Sequence, residues 1–222
     1  MMRFLILYLF TFCIFTPTTA ALHPNDFDWE IKKQRNGIKI YSADQHKETG
    51  IVPIKAQLTL NHSMPKILSV LANTKRKKEW IPKLEETFIV EQKSKYERIE
   101  YARYNSPWPF LDRTFVIATK GRINKKENSI FIDIHSVTHP KVPVNPKYIR
   151  GYTYLGSVYL KGLEKEKTFV EITLLTDFKG DIPIWIINLL QANWPFKMFT
   201  KLKTQLAKKD IEIWPEFKDY NP

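Results

Sequence analysis

The sequence has a single cysteine and only seven glycines among its 222 residues. The cysteine, Cys13, falls in an apolar leader-like segment. The rest of the chain therefore has no thiol to act as nucleophile, disulfide partner or metal ligand. Glycine stands at about half its usual share. Neither G-x-x-x-x-G-K-[ST] nor G-x-G-x-x-G occurs, and Gly151 and Gly156 are wrongly spaced for a phosphate-cradling loop. His23, His46, His62, His135 and His139 include no H-E-x-x-H pair, and G-x-S-x-G is absent too. Asp133, His135 and His139 on one face of a strand would make a poor metal site without help from a neighbouring strand. The expectation is a protein without metal or cofactor. Acidic residues are outnumbered, 23 against 35 Lys+Arg, giving a formal charge of +12. Such a surface suits an anionic membrane or a nucleic acid; an exported chain rarely meets the latter, so no nucleic-acid partner is expected.

What is present begins with an export-type leader. Arg3 is the only charge among residues 1–20, and residues 4–15 are almost unbroken apolar sequence. That run of about twelve residues is too short to cross a bilayer as a helix. Pro17, Thr18, Thr19, Ala20 and Ala21 then supply small residues for cleavage. Residues 1–20 read as a signal peptide, with an uncleaved anchor as the rival. The rest, 21–222, reads as one monomeric domain in the periplasm or outside the cell. Hydrophobic residues make up 43% of the chain and aromatic ones 14%, enough to build a core without disulfides.

Along that domain, residues 28–35 read as a short amphipathic helix stopped by Asn36-Gly37. Strands follow at Ile38-Lys39-Ile40-Tyr41 and at 51–60, where alternate residues are apolar. Ser63 and Pro65 open a short helix with Ile67, Leu68 and Leu71 inward. Strand-like runs then come at 88–92, 96–104, 113–121, 130–138, 148–160 and 168–176, separated by polar turns, as in an antiparallel meander. A helix at 183–209 places Ile187, Leu190, Trp194, Met198, Leu202 and Leu206 on one face, with a kink or new start expected at Pro195. Residues 182–199 are apolar enough to raise a membrane span, but Asn188, Gln191, Asn193, Pro195 and Lys197 argue against it.

Four stretches carry a resemblance: Trp29 with Gly37-Ile38-Lys39-Ile40-Tyr41; Arg76-Lys77-Lys78-Glu79-Trp80; Pro107-Trp108-Pro109-Phe110-Leu111-Asp112-Arg113-Thr114-Phe115-Val116; and Thr176-Asp177-Phe178-Lys179-Gly180-Asp181-Ile182-Pro183-Ile184-Trp185 with Asn188. In this order and spacing the chain resembles the START lipid-transfer domains over about residues 27–208. The resemblance implies an α+β helix-grip fold, a curved antiparallel sheet wrapped around a long C-terminal helix. It also implies one lipid or other hydrophobic ligand held in a tunnel between them. Two positions depart from the family pattern. Thr114 replaces an acid, and Thr119 stands where sterol-binding relatives carry a basic residue, which weakens a sterol reading.

The resemblance points to candidate residues. Trp185, Asn188, Leu189, Ala192 and Phe196 on the last helix are candidates to line the ligand, with Asn188 as polar anchor. Arg113, Arg150 and Glu100 form either a buried ion pair holding the sheet or a contact for a lipid phosphate. Trp108 and Phe110 in one loop, and Val142 and Val144 in another, either gate the tunnel at a membrane or cap the core. The function expected is lipid binding and carriage between membranes rather than catalysis. A helix-grip enzyme acting on a hydrophobic small molecule is the alternative, and an interaction module using the basic face is the third.

Overall fold

The computed structural model describes residues 22–218 and 220; the leader at 1–20 lies outside the described residues. The chain runs β1 (Glu30–Arg35), β2 (Ile38–Ser42), β3 (Ile54–Leu60), α1 (Met64–Ala72), α2 (Lys77–Trp80), β4 (Leu84–Ser94), β5 (Glu97–Tyr104), β6 (Arg113–Asn124), β7 (Ser129–Ser136), β8 (Ile149–Arg150), β9 (Tyr152–Glu164), β10 (Lys167–Asp177) and α3 (Ile184–Leu206). This is the α+β helix-grip arrangement. The strands form one sheet in the order β1-β2-β3-β10-β9-β7-β6-β5-β4, all neighbours antiparallel. β8 runs parallel to the start of β6, pairing Ile149 and Arg150 with Arg113 and Thr114, where β7 has not yet reached β6.

Residues 30–35 form a strand, not the helix their pattern suggested. The cause is the turn that follows. Asn36 and Gly37 both take positive φ, 51° and 75°, the conformation of a two-residue hairpin turn. An Asn-Gly pair that can end a helix here folds β1 back on β2. The edge strands β1 and β4 carry register shifts, at Ile31/Lys33 in one and at three places in the other, and both are rich in charge. Bulges and charges of this kind keep open edges from pairing with other chains.

The main core joins β2, β3, β9 and β10 to α1 and the second half of α3. Met198, Phe199, Leu202 and Leu206 pack there against Ile67, Leu68, Ala56 and Leu160, each large side chain gaining roughly 1.5–3 kcal/mol by burial. Of the kink or new start expected at Pro195, no new start occurs: α3 continues through the proline as one helix and buries it. A smaller cluster of Ile51, Leu155, Leu175, Ile182 and Ile187 seats the first turns of α3. Glu79 ties the end of α2 to that of α3, accepting two hydrogen bonds of 2.8 Å from Arg76, one of 2.8 Å from Gln205 and one of 2.7 Å from Lys208. Among the described residues no helix is long and apolar enough to cross a membrane.

Candidate functional site: a cavity between sheet and helix

Alternation along the strands sends every second residue to the concave face. Ala102 and Tyr104 of β5, Phe115, Ile117 and Ile123 of β6, Ile130, Ile132 and Ile134 of β7, and Val170, Ile172 and Leu174 of β10 face the same space. α3 crosses it, presenting Ile186, Leu190, Trp194 and Met198. The result is a cavity of about 1460 Å³, above the roughly 300–1,000 Å³ of ordinary small-molecule sites. Its wall is chiefly aliphatic and aromatic.

One buried polar cluster interrupts that wall. Glu100 is only 2% exposed, yet it lines the cavity. Lys77 Nζ lies 2.6 Å from Glu100 Oε2 and Arg98 Nη2 lies 3.3 Å from Oε1, which also accepts 2.8 Å from Thr74 Oγ1. Arg98 further donates to the Ala72 carbonyl at 3.0 Å. Burial pushes the Glu100 carboxyl up, but the Lys77 and Arg98 charges outweigh it and hold the group below its ordinary value. Lys77 is pushed down by burial and by Arg98, against the pull of Glu100. Two cations thus share one carboxylate.

The whole wall follows that balance. Among the described lining residues, Lys33, Arg35, Lys83, Lys95, Lys197 and Lys201 are exposed at the openings, and Lys77, Arg98 and Arg113 lie deeper. Glu100 is the only acid there. Two buried N–H donors, Trp80 Nε1 and Gln191 Nε2, have no partner among the described residues, and both residues line the cavity.

Of the residues singled out from the sequence, Leu189, Phe196, Arg113, Glu100 and Phe110 line the cavity. Trp185, Asn188, Ala192 and Arg150 do not. Trp185 is 68% exposed on the first turn of α3. The inward row of that helix is 186–190–194–198, about one residue round from the row chosen. Asn188 turns away to accept 3.0 Å from the Val52 backbone N–H; Gln191 is the amide facing inward, its Oε1 accepting 3.4 Å from Thr176 N–H. Arg150 donates to Thr114 Oγ1 at 3.0 Å and to the Val142 and Pro143 carbonyls at 3.4 and 3.2 Å. Thr114, the neutral substitute for an acid, thus still receives an arginine. Glu100 pairs with Lys77 and Arg98, not with Arg113 or Arg150. Lys77, Trp80, Arg98 and Gln191 were missed, although Arg98 stands two places from Glu100 and so shares its strand face. Thr119 lies opposite Arg98 across the β5–β6 ladder. His139 lies beyond the end of β7 and pairs with Glu91 at 3.1 Å.

Arg113 works at one end of the cavity. Its guanidinium donates to the Phe178 and Lys179 carbonyls at 3.3 and 3.2 Å, to Ser106 Oγ at 3.4 Å, and to the Leu111 carbonyl. It thereby ties loop 105–112 to the segment entering α3. Asp112 closes the same loop, accepting 2.8 Å from Arg103 and 3.1 Å from Ser106 N–H. Trp108 projects from it at 92% exposure, with Leu111 also exposed; Val144 is exposed on loop 137–148, whose Val142 is half-buried.

The family model for the START domain matches residues 26–208. The chain belongs to the START family. Mouse phosphatidylcholine transfer protein is 25% identical to this START domain over 170 residues, 75% of this chain and 78% of the relative. Among solved structures, human STARD10 superimposes with a TM-score of 0.75 at 18% identity, covering 82% of this chain and 74% of that one. A STAR-related lipid transfer protein from Xanthomonas axonopodis gives 0.72 at 19% identity, covering 81% of this chain and 99% of that one. At such identities the two structures establish the START fold and leave the ligand to be argued from the cavity.

Proposed function

We propose that this START domain binds one lipid in the cavity between sheet and α3 and carries it between membranes, as an exported monomer without catalytic activity. The observation that carries the reading is a 1460 Å³ cavity with a chiefly apolar wall. A 16-carbon chain moved from water into such a space gains roughly 0.8 kcal/mol per methylene, about 12 kcal/mol in all. Uptake from a bilayer gains far less, because the lipid starts in an equally apolar place. Transfer therefore depends on docking and opening. Trp108, Leu111 and Val144, exposed on the two loops that Arg113 and Arg150 hold, suit contact with a membrane interface. The basic surface adds attraction to anionic lipid.

Native mass spectrometry of freshly purified protein, followed by lipid extraction, tests the proposal. One lipid mass per chain is the expected result. Protein that stays bare after incubation with mixed liposomes would sink it.

A further inference from the structure

We propose that the ligand is an amphiphile whose headgroup carries net negative charge, a carboxylate or a phosphate monoester, seated against Lys77 and Arg98. The proposal rests on the lipid-binding reading and adds the chemical class. Its basis is charge balance within the cavity. Among the described residues nine basic side chains line it, and Glu100 is the sole acid. That acid is already shared between two cations, at 2.6 and 3.3 Å, leaving the buried cluster one positive charge in excess. A buried excess charge is costly until a counter-ion reaches it. An anionic headgroup entering from the cavity supplies one.

A zwitterionic or cationic headgroup fits less well. It brings its own positive charge, and the only carboxylate that could receive it is taken. The donor inventory agrees: Trp80, one turn from Lys77 on α2, lines the cavity, and its buried indole Nε1 has no partner among the described residues. It can donate to a carboxylate or phosphate oxygen and cannot accept from an ammonium. The exposed lysines of the lining, Lys83 and Lys95 at opposite ends of β4 and Lys197 and Lys201 on α3, would draw the same charge inward.

The test is competitive binding, by displacement of a fluorescent fatty-acid probe, with amphiphiles sharing one tail: hexadecanoate, hexadecyl phosphate, hexadecylphosphocholine and hexadecanol. The two anions are expected to bind at least about tenfold more tightly than the alcohol and the zwitterion. Lys77→Gln should cut that preference severalfold, while Glu100→Gln, assayed below its own melting temperature, should raise it. The ratio of hexadecanoate to hexadecyl phosphate tells which anion the site prefers. Equal binding of all four compounds would overturn the proposal and leave the lipid-binding reading standing. Binding of none of them would overturn both. Lys77→Gln alone keeps the question open to refutation if Glu100→Gln does not fold.

Discussion

Replacing Glu100 by Gln should destabilise the protein more than any comparable change at the surface. The carboxylate sits 2.6 Å from Lys77 and 3.3 Å from Arg98 and is 2% exposed. At an effective dielectric of about 20 each attraction is of order 5–6 kcal/mol, and most of that offsets the removal of three charges from water. Deleting the anion alone leaves two buried cations facing one another, and breaking a buried pair in this way costs about 3–5 kcal/mol. In a domain of this size the unfolding midpoint should fall by roughly 10 °C, followed by circular dichroism during heating at neutral pH. Adding Lys77→Gln to Glu100→Gln should recover part of the loss, since it removes one of the stranded charges. A Glu100→Gln midpoint within about 2 °C of the parent would refute the reasoning, and so would a double variant showing the simple sum of two losses.

Arg113→Ala should remove the tie between loop 105–112 and the segment entering α3, stranding the Phe178, Lys179 and Leu111 carbonyls. A loss of about 3 kcal/mol is expected, with faster hydrogen exchange at 178–183 as the local readout. Trp108→Ala should leave the melting temperature unchanged, because the side chain is 92% exposed, yet slow lipid transfer between vesicles. Gly156→Ala would place a methyl group 2.9 Å from Ile134 Cβ and 3.0 Å from its carbonyl oxygen. Because β7 and β9 must separate there, a loss of about 1–3 kcal/mol is expected in denaturant titration. Glu79 is held well below its ordinary value of 4.5, first by the hydrogen bonds from Arg76 and then by Lys208. Its clamp is therefore complete above pH 4.5 and fades as pH falls towards the folded value. Glu79→Gln should flatten that acid limb of the stability profile and lower the plateau.

The strands were legible in two ways: β2, β3 and most of β10 write the period of two of a half-buried sheet, whereas β5 and the start of β6, each with four consecutive buried residues, showed only as strand-like runs between polar turns. β1 was not legible. All six of its residues are exposed, so no inward face marks it as a strand, and only the positive φ at Asn36 and Gly37 decides its fate. The cavity-facing row of α3 was misplaced for a related reason. Both sides of that helix near its start are apolar, one for the cavity and one exposed, as Ile184 and Trp185 show. Choosing between Asn188 and Gln191 needed the position of Val52, a residue far off in sequence. Lys77 escaped notice because a lysine in a run of basic residues looks solvated until a buried glutamate from another element is placed beside it.

The sheet order also dictates how the molecule can be put together. β3 has β2 on one side, a neighbour in sequence, but its other partner is β10: Leu60 meets Thr168 and Ile54 meets Leu174. Those partners are over a hundred residues apart. A chain emerging from its N-terminus must hold the first three strands with one unsatisfied edge until the last strand exists. Such distant pairings make folding slow, because the entropy of closing the long loop is lost before contacts repay it. A fragment ending before β10 would leave β3 without that second neighbour, so the sheet can close only once β10 is in place.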